Sequence, residues 1–196
     1  LYAINAADGT KKWQFTTGSS VQSSPMVSDG VVYVGSSDNN LYAINAADGT
    51  EKWQFATGGI VGSSPTVSDG VVYVGSDDWH VYAINAADGT KKWDFSTGEM
   101  SSVRSSPMVS DGVVYVGDDA GIFYAIDADT GRESFRLTSL GTSIRGTPAL
   151  GYAYCKVDSP KYINPAEPFK IKLQNKKLIT TGYKLREVVD NTDNFY

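Results

Sequence analysis

Leu41-Tyr42-Ala43-Ile44-Asn45-Ala46-Ala47-Asp48-Gly49-Thr50-Glu51-Lys52-Trp53 decides the fold, because the chain writes this stretch four times. The first copy runs from Leu1 to Trp13 and the third from Val81 to Trp93. A diverged fourth runs from Phe123 to Phe135, with phenylalanine at the tryptophan position. Starts at residues 1, 41, 81 and 123 give spacings of 40, 40 and 42. A fixed period of this size marks stacked supersecondary units. Everything up to about Leu150 is one unit repeated.

Within a period, four short segments have strand character. Ser23-Ser24-Pro25-Met26-Val27 leads through the turn Ser28-Asp29-Gly30 into Val31-Val32-Tyr33-Val34-Gly35. A loop from Ser36 to Asn40 precedes Leu41-Tyr42-Ala43-Ile44, and Asn45 to Gly49 turns the chain into Lys52-Trp53-Gln54-Phe55. β-Branched and aromatic runs bounded by Asp-Gly turns are hairpin signatures. No window carries a 3.6-residue apolar period, so helix is not expected. The reading is all-β: a β-propeller of four-stranded antiparallel blades. Complete blades fall at about 23–57, 63–97 and 105–138. Residues 1–16 supply two outer strands and 146–157 supply two inner ones, Tyr152 to Val157 alternating like a strand. Together these would form a split blade that closes a ring and removes exposed edges.

Composition narrows the classes of function. Residues 1–150 carry 9 Lys+Arg against 17 Asp+Glu, a net of −8, whereas residues 151–196 carry 8 against 5, a net of +3. An acidic repeat region argues against nucleic-acid binding, which needs a basic footprint. No apolar run approaches the roughly 18 residues of a membrane-spanning helix, so the chain is not expected to be transmembrane. Cys155 is the one cysteine, which excludes an intrachain disulfide framework. The chain opens at Leu1 in mid-repeat, as a processed or truncated product would. Beyond Val157, proline punctuation (Pro160, Pro165, Pro168) gives way to Phe169-Lys170-Ile171-Lys172-Leu173 and a second strand from Lys177 across a turn at Asn175-Lys176. Residues 158–196 are therefore expected to be a β-hairpin-like extension.

The pattern Ala-x-Asp-x-x-Thr-Gly-x-x-x-Trp resembles the tryptophan-docking motif of the PQQ-like (quinoprotein-type) β-propeller repeats. The last copy keeps Ala125, Asp127, Thr130 and Gly131, with Phe135 replacing the tryptophan. The earlier copies carry Asn5, Asn45 and Asn85 at the Asp position and Asp-Gly in place of Thr-Gly. The resemblance covers residues 1–150 and implies that Trp13, Trp53, Trp93 and Phe135 pack between blades as structural docking residues. It also implies seven or eight blades. The four read here would reach that number only as a homodimer completing a larger ring, or as a fragment of a longer parent.

Candidate chemistry sits where the repeats differ from one another. The turns at Asp29-Gly30, Asp69-Gly70 and Asp111-Gly112 are identical. Variation falls instead in Ser19–Gln22, Gly59–Gly62, Glu99–Arg104 and Leu140–Arg145, and in Ser37–Asn40, Asp77–His80 and Asp118–Gly121. In a four-stranded blade these loops share one rim, and function on repeat scaffolds tends to sit on loops of one face. Trp79 and His80 are candidates for binding a sugar or an aromatic small ligand, or for covering a loop. Arg104 and Arg145 are candidates for lining a channel mouth. Asp77, Asp78, Asp118 and Asp119 supply the hard oxygens that Ca²⁺ prefers, without an EF-hand pattern. A single histidine and the absence of a Gly-x-Ser-x-Gly elbow or a phosphate loop argue against a catalytic triad or a nucleotide site.

The leading expectation is a non-catalytic binding or scaffold propeller, engaging a protein, carbohydrate or small ligand, with no cofactor. The resemblance makes an extracytoplasmic location the expectation. It also implies the alternative of part of a PQQ- and Ca-dependent quinoprotein dehydrogenase, active only when assembled. A self-associating structural module is the third reading.

Overall fold

The computed structural model describes residues 1–98, 100–138 and 143–148, together with the strand pair 173–174 and 177–178. Among the described residues every regular element is a β-strand. An opening antiparallel pair, β1 (Tyr2–Ile4) and β2 (Lys11–Gln14), precedes three four-stranded antiparallel meanders. Blade I is β3 (Met26–Ser28), β4 (Val31–Gly35), β5 (Asn40–Asn45) and β6 (Glu51–Ala56). Blade II is β7 (Thr66–Ser68), β8 (Val71–Gly75), β9 (His80–Asn85) and β10 (Lys91–Ser96). Blade III is β11 (Met108–Ser110), β12 (Val113–Gly117), β13 (Phe123–Asp127) and β14 (Glu133–Leu137). This is the blade architecture of a β-propeller. A final pair, β15 (Leu173–Gln174) and β16 (Lys177–Leu178), sets Leu173 opposite Leu178. Residues 149–157, read from the sequence as part of the split blade, lie outside the described residues.

The innermost strand of each blade starts later than the sequence suggests. Pro25 has no N–H to give to a ladder, so β3 opens only at Met26. Before the proline a side chain takes over the pairing. Ser23 Oγ accepts the Gly35 N–H at 2.8 Å and donates to the Gly35 carbonyl at 3.0 Å. Ser63 does the same for Gly75, and Ser105 for Gly117. All three serines are buried, where an unpaired strand end would be costly.

Alternation in the strands sends side chains to both faces, and both faces are buried because blades stack. Tyr33, Leu41, Ala43 and Trp53 of blade I meet Val72, Val74 and Ile84 of blade II in one apolar layer, closed by Val61. Tyr73, Val81, Ala83 and Trp93 repeat that layer against Val114, Val116, Tyr124 and Ile126 of blade III. Each fully buried aliphatic side chain contributes about 1.5–3 kcal/mol relative to exposure. The tryptophans add a polar lock: Trp13, Trp53 and Trp93 donate their indole N–H to the carbonyls of Ala46, Ala86 and Ala128 in the following blade, at 2.9, 3.1 and 2.9 Å.

The turn that receives each indole explains the departures from the family motif. In the blade I copy, Asn45 Nδ2 donates to Thr50 Oγ1, and Asp48 accepts both the hydroxyl and the N–H of Thr50. In the last copy, Asp127 alone accepts the N–H and hydroxyl of Thr130. Two residues in the early copies do the work of one aspartate in the last.

Candidate functional site

The loops that vary between repeats are hydrogen-bonded to one another across blades, which defines a single rim. Asp77 N–H donates to the Ile60 carbonyl, Asp119 N–H to the Ser102 carbonyl, and Val103 N–H to the Ser76 carbonyl. The invariant turns join each other at the opposite ends of the strands, where Ala46, Ala86 and Ala128 N–H groups donate to Gly30, Gly70 and Gly112. Each variable loop within a blade also carries one left-handed residue: Asn39 (φ 72°), Trp79 (φ 72°) and Gly121 (φ 79°).

On this rim the acidic residues are engaged by the scaffold itself. Asp38 accepts the Tyr42 hydroxyl at 2.9 Å and the Gly18 N–H at 2.6 Å; Asp78 accepts the Tyr82 hydroxyl at 2.7 Å and the Gly58 N–H at 2.6 Å. Blade III has Ala120 at the corresponding position, and the carboxylate moves two residues earlier. Asp118, fully buried, accepts the Tyr124 hydroxyl at 3.0 Å and the Ile122 N–H at 2.8 Å. Desolvation first, then the bonded carboxylate, pushes the Tyr82 hydroxyl well above the ordinary tyrosine range; Tyr124 is raised by burial and then by the charge of Asp118.

Asp77 and Asp119 belong to an alternating charge ladder that crosses blades. Arg104 reaches back to Asp77 through two 2.8 Å hydrogen bonds and lies 3.5 Å from Asp119. Arg145 reaches Asp119 at 3.1 Å. Hydrogen bonding to Asp77 raises the Arg104 pKa further. The structure therefore brings Asp77, Arg104, Asp119 and Arg145 together as mutual partners and sets Asp78 and Asp118 under tyrosines. Among the described residues, no group of three or more His, Cys, Asp or Glu stands together in a geometry that could hold a metal ion.

Trp79 and His80 stand apart from this ladder. His80 Nδ1 lies 2.8 Å from the Asp78 carbonyl, and its Nε2 lies 3.8 Å from Asp94 Oδ2. Trp79 is 38% exposed, whereas Trp13, Trp53 and Trp93 are 8–9% exposed. Met100, which motif reading did not single out, is 87% exposed and has a φ of 68°. Its signal was the change of period from 40 to 42, which places two extra residues in the loop that carries it.

With the blades and the two rims in view, residues 1–149 match the family described as outer membrane protein assembly factor BamB, of PQQ-type repeats. The chain belongs to this family. The BamB structure from Moraxella catarrhalis shares the fold at 22% identity and a TM-score of 0.66, over 75% of this chain and 47% of that one. The quinohemoprotein alcohol dehydrogenase ADHIIG from Pseudomonas putida HK5 aligns at 27% identity and a TM-score of 0.58, over 64% of this chain and 22% of that one. The quinohemoprotein alcohol dehydrogenase from Comamonas testosteroni aligns at 27% and 0.57, over 62% and 21%. The chain thus spans about half the length of the BamB structure and about a fifth of each dehydrogenase. No curated protein matches at a significant level.

BamB-family membership leaves the two functional expectations in play, since its fold serves both an assembly factor and quinoproteins. PQQ is a tricarboxylate quinone, and holding it takes free cationic donors. Among the described residues Arg104 and Arg145 spend their guanidinium groups on Asp77 and Asp119.

Proposed function

We propose that this chain is a non-catalytic binding scaffold that engages a protein partner through its variable rim, in the cell envelope where outer membrane assembly takes place. The observation that carries the reading is the division of labour between the rims. Opposite the constant turns, the variable loops differ from blade to blade while their carboxylates are held by tyrosines and arginines of the scaffold. Side chains locked in this way hold a surface in shape rather than turn over a substrate. The family description, an outer membrane protein assembly factor, supports both the kind of partner and the compartment.

Sequence identity of 27% to two quinohemoprotein dehydrogenases supports the second reading, in which these blades form part of a larger PQQ- and Ca-dependent ring. Equilibrium dialysis against PQQ, with and without Ca²⁺, followed by a dye-linked dehydrogenase assay, separates the two. The scaffold reading predicts no stoichiometric uptake and no turnover. One PQQ bound per chain, with alcohol-dependent dye reduction, would replace it with the quinoprotein reading.

A further inference from the structure

Three of the substitutions that separate blade II from blade I meet around the chain's single histidine. His80 stands where blade I has Asn40, Asp94 where it has Gln54, and Lys91 where it has Glu51. Strand register brings them together. His80 pairs with Ser96 and Tyr82 with Asp94, so His80 and Asp94 are diagonal neighbours on one face of β9 and β10. Lys91 Nζ lies 2.6 Å from Asp94 Oδ1, which leaves Oδ2 toward the histidine. Blade III has Ile122 and Arg136 at the two diagonal positions.

The imidazole is flanked on both sides by groups that only accept. Its Nδ1 lies 2.8 Å from the Asp78 carbonyl, just as Asn40 Nδ2 donates to the Asp38 carbonyl in blade I at 3.1 Å. A carbonyl has no proton to give, so Nδ1 is the donor in this bond. In the neutral ring Nε2 is then a bare lone pair, and it faces Asp94 Oδ2 at 3.8 Å, acceptor against acceptor. Moving the one proton to Nε2 would suit Asp94 and break the bond to the Asp78 carbonyl. Only the imidazolium, with a donor on each nitrogen, suits both. Blade I has no such conflict, because the amides of Asn40 and Gln54 each carry donor and acceptor.

The charged groups around the ring form one alternating row. Asp78, on the ring's own loop, has Oδ1 3.7 Å from Nδ1, and β10 supplies Asp94 and then Lys91. Tyr82 of β9 is committed to Asp78 through its hydroxyl, and blade I brings the Gly58 N–H to the same carboxylate. Asp77, also on the loop, is taken by Arg104. Trp79 sits between Asp78 and His80, so whatever fastens this ring fastens the loop that exposes the tryptophan.

Resting on the scaffold reading, we infer that His80 is a pH-sensitive latch on the variable rim: its imidazolium ties the Asp78–Trp79 loop to β10, and loss of the proton releases the tie. The latch is closed on the acid side of the range in which an ordinary imidazole titrates and open on the alkaline side. Acidity thereby sets how firmly one loop of the proposed binding rim is held.

The test is hydrogen exchange of the full chain, read by mass spectrometry at about pH 5.5 and about pH 8 and corrected for the intrinsic pH dependence of exchange. His80→Asn and Asp94→Gln, singly and together, restore residues that blade I already accepts. Residues 37–42 of blade I serve as the internal control. Protection over residues 77–82 is expected to be about two- to fivefold higher at the acid pH, beyond any change in the control. Each variant should lose that excess, since Asp94→Gln gives the neutral ring a donor to face. In NMR the single imidazole should titrate at lower pH in Asp94→Gln than in the unaltered chain. The inference is overturned if protection over 77–82 follows the control, if the acid excess survives either substitution, or if Asp94→Gln leaves the imidazole titration in place. None of these outcomes bears on PQQ uptake, which decides the scaffold reading, so the two fail separately.

Discussion

Gly49, Gly89 and Gly131 each lie against the tryptophan of the preceding blade, and a side chain there has nowhere to go. At Gly89, φ is +76° and an added Cβ would sit 2.8 Å from Trp53 Cδ2. Gly70 in the same blade has a φ of +72° but nothing within 4 Å of its Cβ position. Gly89→Ala therefore adds a clash to backbone strain and should cost about 2–4 kcal/mol, whereas Gly70→Ala should cost only about 1 kcal/mol. Urea midpoints of the two variants measure the difference. Trp53→Phe keeps most of the ring but leaves the Ala86 carbonyl without its 3.1 Å donor, and should cost about 1–3 kcal/mol. Position 135, already phenylalanine, shows that the strand accepts the smaller ring. Sequence alone marked the tryptophans and the glycines as recurring. It did not show that they touch, because the contact joins residues of different blades.

At the scale of the element, each blade's outer ladder is anchored by an aspartate beneath a tyrosine. Burial alone would raise the pKa of Asp38, but hydrogen bonds from the Tyr42 hydroxyl, Asn40 and the Gly18 N–H outweigh it and hold the group below its ordinary value of 3.8. A carboxylate depressed in the folded state stabilises the fold above its unfolded pKa and loses that contribution as pH falls through the folded one. Stability should accordingly decline as the pH drops below about 4, and Asp38→Asn should flatten that part of the profile in urea titrations at stepped pH. The reverse sign applies to Tyr73, pushed up to about 12 by burial first and then by the charges of Asp129, Asp69 and Asp127. Its contribution is complete below the unfolded value near 10 and is lost as pH rises through 12. Ultraviolet titration should show this tyrosine ionising only at the alkaline end.

The strands themselves were legible from alternation and Asp-Gly turns, with two instructive exceptions. Strand starts at Met26, Thr66 and Met108 follow from proline removing a donor, and the serine that stands in for it is invisible as a pairing residue in a linear pattern. The transfer of the tyrosine-bonded carboxylate from the position of Asp38 and Asp78 to Asp118 was hidden too. Reading along the chain, Asp118-Asp119 looks like the Asp77-Asp78 pair. In space, the first residue of one pair does the work of the second residue of the other.

For the whole molecule, the decisive relation runs between blades. Arg104 and Asp77 are 27 residues apart and meet only because blades II and III stack. Four rim aspartates that look like hard-oxygen ligands in the sequence are partnered in the fold, Asp77 and Asp119 by arginines brought in through the stacking and Asp78 and Asp118 by tyrosines of their own blades. Arg104→Met should destabilise the protein modestly, by about 0.5–1 kcal/mol, since the arginine is partly exposed and surface pairs are worth little. That loss should shrink in 1 M salt, where the Debye length is about 3 Å, and thermal melts at two salt concentrations read it directly.

The central claim is that partners are met by the variable rim of a constant scaffold. Photo-crosslinking from single introduced residues tests it most directly, with benzoylphenylalanine at position 39, 79 or 100 on one rim and at 29, 69 or 111 on the other, in cells that express the full chain. The account predicts discrete protein adducts from the variable rim and none from the turn rim. Adducts of equal yield from both rims, or from the turns alone, would contradict it.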